Sequence, residues 1–323
     1  METGSGSAAA TRRGWPLRRW TRGGRRPGPF RRRGLLIAAF LAPSLLVFLL
    51  YRVVPLGWNV LLSFQWWSPF KPAKWAGLHH YEEMLIHDDV FWQSLWNTVV
   101  FMSSSPIAIA LALGVALLVD QPIRGRALYR AAIFLSYPLM TVAVGIIWRW
   151  LYDEKVGLLN FVLISLGVVS RGIPFLDSFQ WAMPAVIVAA IWQILGFFMI
   201  ILLAGLQNIP RELHEAAAID GAGAGQRFGR ITLPLLRPAI FLCLVLGIIS
   251  SFTSFDLIYV MTRGGPNYST ELLITYIYRV AFGLSKLDYA AALTVVLFLF
   301  LLALTWLANR AAGGEAGAVE APE

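Results

Sequence analysis

Residues 182–206 read AMPAVIVAAIWQILGFFMIILLAGL, and none of these 25 residues carries a charge. A helix needs about 20 consecutive apolar residues to cross the hydrocarbon core of a bilayer. Because lipid offers the backbone no hydrogen-bond partner, an uninterrupted apolar stretch inside a membrane is helical. The segment therefore predicts a transmembrane helix, and with it an integral membrane protein.

Five further segments have the same character and lie near residues 35–54, 95–119, 128–151, 236–261 and 289–308. Of the 323 residues, 58% are hydrophobic and only 14% are charged. This composition lies far outside the range of soluble domains. We expect an all-α integral membrane fold with about six transmembrane helices.

The net charge of +9 is concentrated at the N-terminus, where residues 1–33 contain ten Arg and a single acidic residue, Glu2. Basic and acidic residues are equal in number beyond this segment, so the charge does not indicate a nucleic-acid-binding face. Arg residues directly before a first span are cytoplasmic by the positive-inside rule and can contact anionic lipid. We predict an Arg-rich cytoplasmic tail over 1–34, a transmembrane domain over 35–310 and a disordered tail over 311–323, with both termini in the cytoplasm.

The segment that follows the quoted span, residues 207–236, contains EAAAIDGAGAGQRFGRITLP at 215–234. Pro210 suits the first turn of a helix, and the Ala run that follows favours helix. The glycines from Gly221 onward allow the backbone to turn before a second short helix. They lack the G-x-G-x-x-G spacing of a dinucleotide-binding turn. We predict a helical hairpin outside the bilayer on the cytoplasmic side.

The pattern E-A-A, three residues, G, nine residues, I-x-L-P resembles the signature loop of permease subunits of bacterial binding-protein-dependent ABC importers. All seven fixed positions match: Glu215, Ala216, Ala217, Gly221, Ile231, Leu233 and Pro234. With a usage of roughly 5–10% for each residue type, the match arises by chance about once in 10⁸ positions. The stretches WRWLYDEKVGLLN (148–160), GLQNIPRELHEAAAIDGAG (205–223) and IYVMTRGGPNYSTELLITYIYRVAF (258–282) are similar to the carbohydrate-uptake branch, which contains maltose, other sugar and glycerol-3-phosphate permeases.

The resemblance implies that this loop is a coupling helix that docks in a groove of a separate ATPase subunit. Glu215 would pair with a basic residue of the groove, Ala216 and Ala217 would permit close approach, and Gly221 would allow the bend; Asp220 belongs to the same coupling set. No phosphate-binding G-x-x-x-x-G-K-[ST] motif occurs in the sequence. We therefore expect ATP and Mg to be bound by partner subunits, with no cofactor, metal or catalytic residue in this chain.

The implied assembly contains a second homologous permease subunit, two ATPase subunits and an extracytoplasmic substrate-binding protein, in a bacterial cell membrane. Two other classes remain as rivals. An integral-membrane enzyme would need a cluster of ionisable residues within the spans, where such residues are scarce. A proton- or ion-driven secondary carrier would work without an ATPase.

The small and weakly polar residues of the fifth predicted span fall on one helix face: Gly247, Ser250, Ser251 and Ser254. Small residues let membrane helices pack closely, whereas hydroxyl groups along a path can bind a sugar, and the residues alone leave both interpretations open. Maltose-type permeases carry sugar contacts on the corresponding face, so the resemblance implies a substrate path. These permeases have asparagines where this chain has Ser251 and Ser254, which argues against a maltose-sized ligand.

The resemblance also implies substrate contacts for three residues of the fourth span: Trp192, Gln193 and Phe197. An aromatic ring can lie on the apolar face of a sugar, and an amide can hydrogen-bond its hydroxyls. Packing aromatics are the alternative in a chain with 13 Trp.

Arg149 and Asp256 are the only charges well inside the predicted spans. Intramembrane charges are costly and are usually paired or functional. In a continuous helix Asp256 lies opposite the serine face, so we expect it to pair with Arg149 rather than to contact substrate. A phosphorylated substrate such as glycerol-3-phosphate needs basic groups on the path, where Arg149 is the only candidate, and a neutral sugar is therefore favoured.

Overall fold

The computed structural model describes residues 29–68 and 71–316. The predicted Arg-rich tail 1–34 lies outside these residues except for 29–34, which begin the first helix. In the predicted C-terminal tail, residues 311–316 continue the last helix rather than forming a disordered segment, and 317–323 lie outside the described residues.

The described chain is mostly helical. The helices of its first half are α1 (Pro29–Phe48), α2 (Val54–Leu62), α3 (His79–Ile86), α4 (Asp89–Met102), α5 (Ser104–Asp120), α6 (Arg126–Phe134), α7 (Thr141–Leu151) and α8 (Leu158–Ser165). Those of its second half are α9 (Ala182–Gln207), α10 (Arg211–Ile219), α11 (Ala224–Arg227), α12 (Leu233–Leu235), α13 (Arg237–Thr253), α14 (Phe255–Met261), α15 (Leu273–Tyr278) and α16 (Leu287–Ala316). Three π-helical turns occur at Leu49–Val53, Phe228–Thr232 and Arg279–Gly283.

A short β-hairpin, which the all-α prediction omitted, follows α2. Its strands β1 (Gln65–Ser68) and β2 (Lys71–Trp75) are antiparallel. Gln65 stands opposite Trp75 in this register. Aromatic residues suit a pleated, half-buried surface, but a strand of four residues shows too little alternation to be predicted from sequence.

The described residues divide into two units, and the boundary lies between Pro55 and Leu56. In the first unit, α1 contains Pro43 and is followed directly by the π-helical turn Leu49–Val53. The second unit contains all the sites described below.

The core of the second unit is built around α5 and α9. Ala108, Ala112 and Ala116 are spaced by four along α5, so they share one helix face, and all three are fully buried. They belong to one cluster with Phe198 and Leu202 of α9. Small side chains let two membrane helices approach closely, and the packing gained in this way holds them together. The position of α9 is therefore fixed along one side.

Four helical segments are long and apolar enough to span a bilayer: Ala39–Leu62, Asp89–Asp120, Ala182–Gln207 and Leu287–Leu307. They correspond to the first, second, fourth and sixth predicted spans. Part of the fifth lies in a bent helix pair, Ala224–Leu235 with Arg237–Thr253, whose members are inclined by 62°. Within the described residues the count is thus four or five, and the predicted six is not reproduced.

The third predicted span, 128–151, is not one helix. α6 ends at Phe134, and α7 begins only at Thr141. Pro138 between them has no N–H to donate and disfavours a helical backbone at the residue before it. The chain therefore turns within what looks like a continuous apolar run in the sequence.

The fifth predicted span, 236–261, is also interrupted. Ser254 has φ −73° and ψ 69°, and it separates α13 from α14. The Ser254 hydroxyl donates to the Ser250 carbonyl at 2.8 Å, and the Thr253 hydroxyl donates to the Ile249 carbonyl at 3.0 Å. Side-chain hydrogen bonds of this kind compete with the backbone ladder and bend helices.

Candidate functional site

The segment after α9 forms the predicted order of helix, turn and short helix. The end of α10 is closed by the Asp220 N–H, which donates to the Ala216 carbonyl at 3.0 Å, and by the Gly221 N–H, which donates to the Ala218 carbonyl at 3.1 Å. Gly221 has φ +82°. Only glycine adopts this left-handed conformation without steric cost, so the turn requires the glycine of the signature.

The predicted coupling residues are accessible on this hairpin. Glu215, Ala216, Asp220 and Gly221 are exposed, and Ala217 is half-buried. No group in the described part of the chain forms a hydrogen bond or ion pair with the Glu215 carboxylate. These residues are therefore free to contact another molecule.

One apolar residue on the same face was missed in the sequence analysis. Ile219 follows Glu215 by four positions, so both side chains lie on one face of α10. Ile219 is 87% exposed, and Leu213 on the same helix is 44% exposed. The sequence alone could have revealed Ile219, because a large apolar residue on a helix outside the membrane needs a partner that covers it. The exposed face of α10 combines the carboxylates of Glu212 and Glu215 with apolar surface.

A cavity of about 420 Å³ lies among α4, α5, α7, α9, α13 and α14. Its polar wall is made mostly of serine, threonine and tyrosine hydroxyls, with one amide from Gln193 and one carboxylate from Asp256. Of the predicted path residues, those that line it are Gln193, Ser250, Ser251 and Ser254. Side chains from two predicted spans therefore meet at one cavity.

Gln193 is held in place at the wall of this cavity. Its Nε2 donates to the Leu139 carbonyl at 3.3 Å and to the Thr141 hydroxyl at 3.2 Å. No described residue donates to its amide oxygen. This oxygen is an acceptor with a fixed position that is available for a ligand hydroxyl.

Trp192 and Phe197, the two aromatic residues of the predicted path, do not line the cavity. Trp192 packs edge-on against Trp148 with ring centroids 5.9 Å apart. Phe197 stacks on Tyr137 with centroids 4.4 Å apart, and Tyr137 lines the cavity. The aromatic part of the wall is thus provided by Tyr137 and Phe101. The sequence analysis missed Tyr137 because it assumed a continuous helix across Pro138.

The two interpretations of the serine face apply to different residues. Gly247 is absent from the cavity wall, and a Cβ at this position would lie 2.7 Å from the Ser105 Cβ. Gly247 therefore occupies a packing position in this structure. Ser251 has both roles, because its hydroxyl donates to the Gly247 carbonyl at 2.9 Å while the residue also lines the cavity.

The predicted ion pair between Arg149 and Asp256 is not formed between these described side chains. Asp256 lines the 420 Å³ cavity, whereas Arg149 lines a second cavity of about 590 Å³. The break at Ser254 removes the helical geometry that placed Asp256 opposite the serines. Asp256 instead shares the first cavity with them.

The segment 262–272 between α14 and α15 is fixed by buried polar contacts that the sequence analysis missed. Glu271 is 1% exposed and forms an ion pair with Arg279. Arg279 also donates to the Arg263 carbonyl at 2.8 Å. The Asn97 side chain donates to the Tyr268 carbonyl at 2.7 Å and to the Glu271 carbonyl at 3.0 Å. The segment is therefore anchored to α4 and to the π-helical turn that contains Arg279.

A family model described as "Binding-protein-dependent transport system inner membrane component" matches residues 98–312, which is more than half of the chain. The chain belongs to this family. The matched residues include α10 and both cavities, and with them every predicted site residue. The predicted resemblance to permeases of binding-protein-dependent importers is confirmed.

Two permease proteins and one solved structure are similar to most of this chain. The sulfoquinovosyl glycerol transport system permease protein SmoG of Agrobacterium fabrum is 38% identical over 82% of this chain and 86% of that protein. The diacetylchitobiose uptake system permease protein NgcF of Streptomyces coelicolor is 33% identical over 95% of this chain and 91% of that protein. The fold is similar to a crystal structure of a bacterial ABC transporter involved in the import of the acidic polysaccharide alginate. That match has a TM-score of 0.76 and 24% identity, and it covers 88% of this chain and 97% of the other.

Family membership establishes the general class of this protein. It is a transport permease component of the inner membrane, with several membrane-spanning helices. The contacts described above locate the accessible helix α10 and the polar cavity within that component.

Proposed function

We propose that this permease component forms half of the translocation path for a sugar, either a mono- or an oligosaccharide, in an ATP-driven importer of the bacterial cell membrane. The observation that carries the proposal is the polar cavity among the membrane helices, lined by hydroxyls and by the positioned amide of Gln193. The sugars in the names of SmoG and NgcF support a carbohydrate substrate.

The cavity has the properties that sugar binding needs. Its volume of about 420 Å³ falls within the range of about 300–1,000 Å³ that is usual for small-molecule sites. Hydroxyls can donate and accept hydrogen bonds, so they pair with the similar groups of a sugar without leaving a charge unpaired. The Tyr137 ring offers a flat surface for the apolar face of a pyranose. A second homologous permease subunit would close the other side of the path.

The energy for transport is supplied in this proposal by two ATPase subunits, which bind ATP and Mg. No phosphate-binding G-x-x-x-x-G-K-[ST] motif occurs in this chain. Glu215, Ala216, Ala217, Asp220 and Gly221 form the docking surface for one ATPase, with Ile219 as an added apolar anchor. Closure of the ATPase pair would move the helices as rigid bodies and switch the path between inward and outward access. The termini and α10 are then cytoplasmic, and an extracytoplasmic binding protein delivers substrate from the other side.

The location of Arg149 bears on the alternative substrate, glycerol-3-phosphate or another polyol phosphate. Among the described residues that line the 420 Å³ cavity there is no Lys or Arg, and Arg149 lies at the second cavity. A phosphate group would be desolvated there without a cationic partner, which is costly. A sugar without phosphate is therefore the better fit.

The substrate class can be tested on the cognate binding protein. When it is purified from cells and its bound ligand is extracted, we expect a carbohydrate, identified by mass spectrometry. A peptide, an amino acid or a metal ion as the only ligand contradicts the proposal.

Gln193→Leu should reduce uptake of that sugar about tenfold, because one hydrogen bond to the substrate is lost without a large change in volume. Gln207→Leu is the matched control, since Gln207 is an exposed amide at the end of the same helix. Uptake of radiolabelled sugar by cells is the measurement. Equal effects of the two substitutions, or no effect of either, would argue against a role of the cavity in transport.

A further inference from the structure

Asp256 is the only acidic or basic side chain among the described residues that line the 420 Å³ cavity. Its neighbours on the wall are hydroxyls and the Gln193 amide, which are uncharged. No group in the described part of the chain forms a hydrogen bond or ion pair with the Asp256 carboxylate. Arg149, its predicted partner within the spans, lies at the other cavity. The cavity therefore carries an uncompensated negative charge from this subunit.

The consequence for a solute is electrostatic. Asp256 is exposed in this subunit. At the effective dielectric constant of about 20 that is typical of groups near a protein surface, a carboxylate a few ångströms away still changes the local concentration of a monovalent ion by more than about tenfold. Cations are enriched and anions are depleted. Walls of low dielectric focus this field within a cleft. An uncharged sugar is unaffected by the net charge and still finds the hydroxyls.

We propose that Asp256 is a charge filter, which lets this cavity accept uncharged or amine-bearing glycosides and reject anionic ones such as sugar phosphates and uronates. The inference rests on the proposed function, because it takes the cavity to be the sugar path. A protonated amine on the substrate would pair with the Asp256 carboxylate, and the adjacent Ser250 and Ser254 could accept its remaining hydrogen bonds.

The local charge can be measured with a thiol probe. Cys243 is the only cysteine of the chain and is fully buried, so Cys243→Ala removes every thiol from this chain, and labelling is read on this chain alone after its separation from the partner subunits. Ser254→Cys then places one thiol on the cavity wall. The complete importer, assembled with its partner subunits in membranes, is treated with a cationic trimethylammonium-ethyl and an anionic sulfonatoethyl methanethiosulfonate reagent. The ratio of the two rates is divided by the same ratio for a free thiol in solution.

With Asp256 present, this normalised ratio should be about tenfold or more above one, and Asp256→Asn should bring it close to one. Asp256→Glu keeps the charge and should keep a high ratio, and Asp256→Ser repeats the neutral case in case the Asn variant fails to assemble. Asp153→Asn is the matched control: the same change at a carboxylate of the second cavity should leave the ratio unaltered. A ratio near one in the parent importer overturns the filter, as does a high ratio that Asp256→Asn and Asp256→Ser leave unchanged.

Uptake of the sugar that the cognate binding protein carries distinguishes failure of the charge filter from failure of the proposed function. If the importer carries that sugar while the normalised ratio is near one, the charge filter is wrong and the proposed function stands. If the ratio is high and falls in Asp256→Asn but no glycoside is transported, the cavity is negative without being a sugar path, and the glycoside part of the inference is overturned with the proposed function.

Discussion

Glu215→Lys is expected to abolish ATP-dependent uptake and to weaken binding of the ATPase subunit by about 100-fold or more. Loss of one member of a close interfacial charge pair costs about 2–5 kcal/mol, and reversal of its sign adds repulsion. Glu215 is exposed and has no partner in the described part of the chain. The substitution should therefore leave the fold of the permease intact. Copurification of the ATPase and uptake of labelled sugar are the two measurements.

Glu212→Lys is the control for this prediction. Glu212 is also exposed, lies on the same helix α10 and undergoes the same change of charge, but it stands outside the signature. We expect Glu212→Lys to reduce ATPase binding and sugar uptake by at most a few-fold, because it places a positive charge unfavourably at a helix N-terminus. Undiminished uptake in Glu215→Lys would remove the coupling assignment. An equally severe loss in Glu212→Lys would show that general electrostatics, rather than one specific contact, governs docking.

Arg279→Met should destabilise the folded protein by about 3–5 kcal/mol, because it leaves a buried carboxylate without its ion-pair partner. Glu271 is 1% exposed, whereas its partner Arg279 is partly exposed. The loss of stability therefore comes from the buried Glu271 carboxylate, which is left without a counter-charge. The segment 262–272 and its contacts to α4 should loosen first. Thermal unfolding of the purified protein and limited proteolysis of this segment report the change.

The destabilisation should depend on pH. Burial raises the pKa of Glu271, while the Thr275 hydroxyl and Arg279 oppose the rise. Without Arg279 the folded state favours the protonated acid more strongly, whereas the unfolded chain ionises near its ordinary pKa of 4.5. Stability of Arg279→Met should therefore fall as pH rises above about 4.5 and recover on acidification.

The double variant Glu271→Leu with Arg279→Met provides the control. Replacement of both members of a buried pair by apolar groups is often close to neutral. The double variant should therefore be more stable than Arg279→Met alone at neutral pH, with little dependence on pH. A single variant that unfolds at the parent temperature at neutral pH would mean that the pair contributes no net stability.

The membrane class and the helix, turn and short helix after α9 were predictable because each depends on local sequence. An uncharged run such as 182–206 has one structural solution in lipid, and Gly221 is the residue that the left-handed turn at the end of α10 requires. Ile219 was also within reach, since it lies one turn from Glu215 on the same helix face.

The errors about the third and fifth predicted spans share one origin, which is the assumption that an apolar run is a straight helix. Pro138 interrupts the third predicted span, and side-chain hydrogen bonds from Thr253 and Ser254 interrupt the fifth. The second break changes which residues share a cavity, and Arg149 and Asp256 line different cavities. Helical periodicity cannot reveal such contacts once the helix is broken.

The ion pair of Glu271 with Arg279 was missed for a different reason. The two residues are eight positions apart and lie on either side of α15, a spacing for which helical periodicity predicts no pair. The sequence around Glu271 does not indicate that this carboxylate is buried. Long-range packing, here against Asn97 of α4, decides it.

ATP-driven accumulation in proteoliposomes tests the central claim most directly. The importer is reconstituted from this chain, its partner permease and two ATPase subunits, with the receptor and labelled sugar outside and ATP inside the vesicles. We predict accumulation against the concentration gradient only when both ATP and the ATPase subunits are present, with no effect of a protonophore and none of this transport by the chain alone. Uphill accumulation by this chain without an ATPase, or uptake that a protonophore abolishes, would contradict the account.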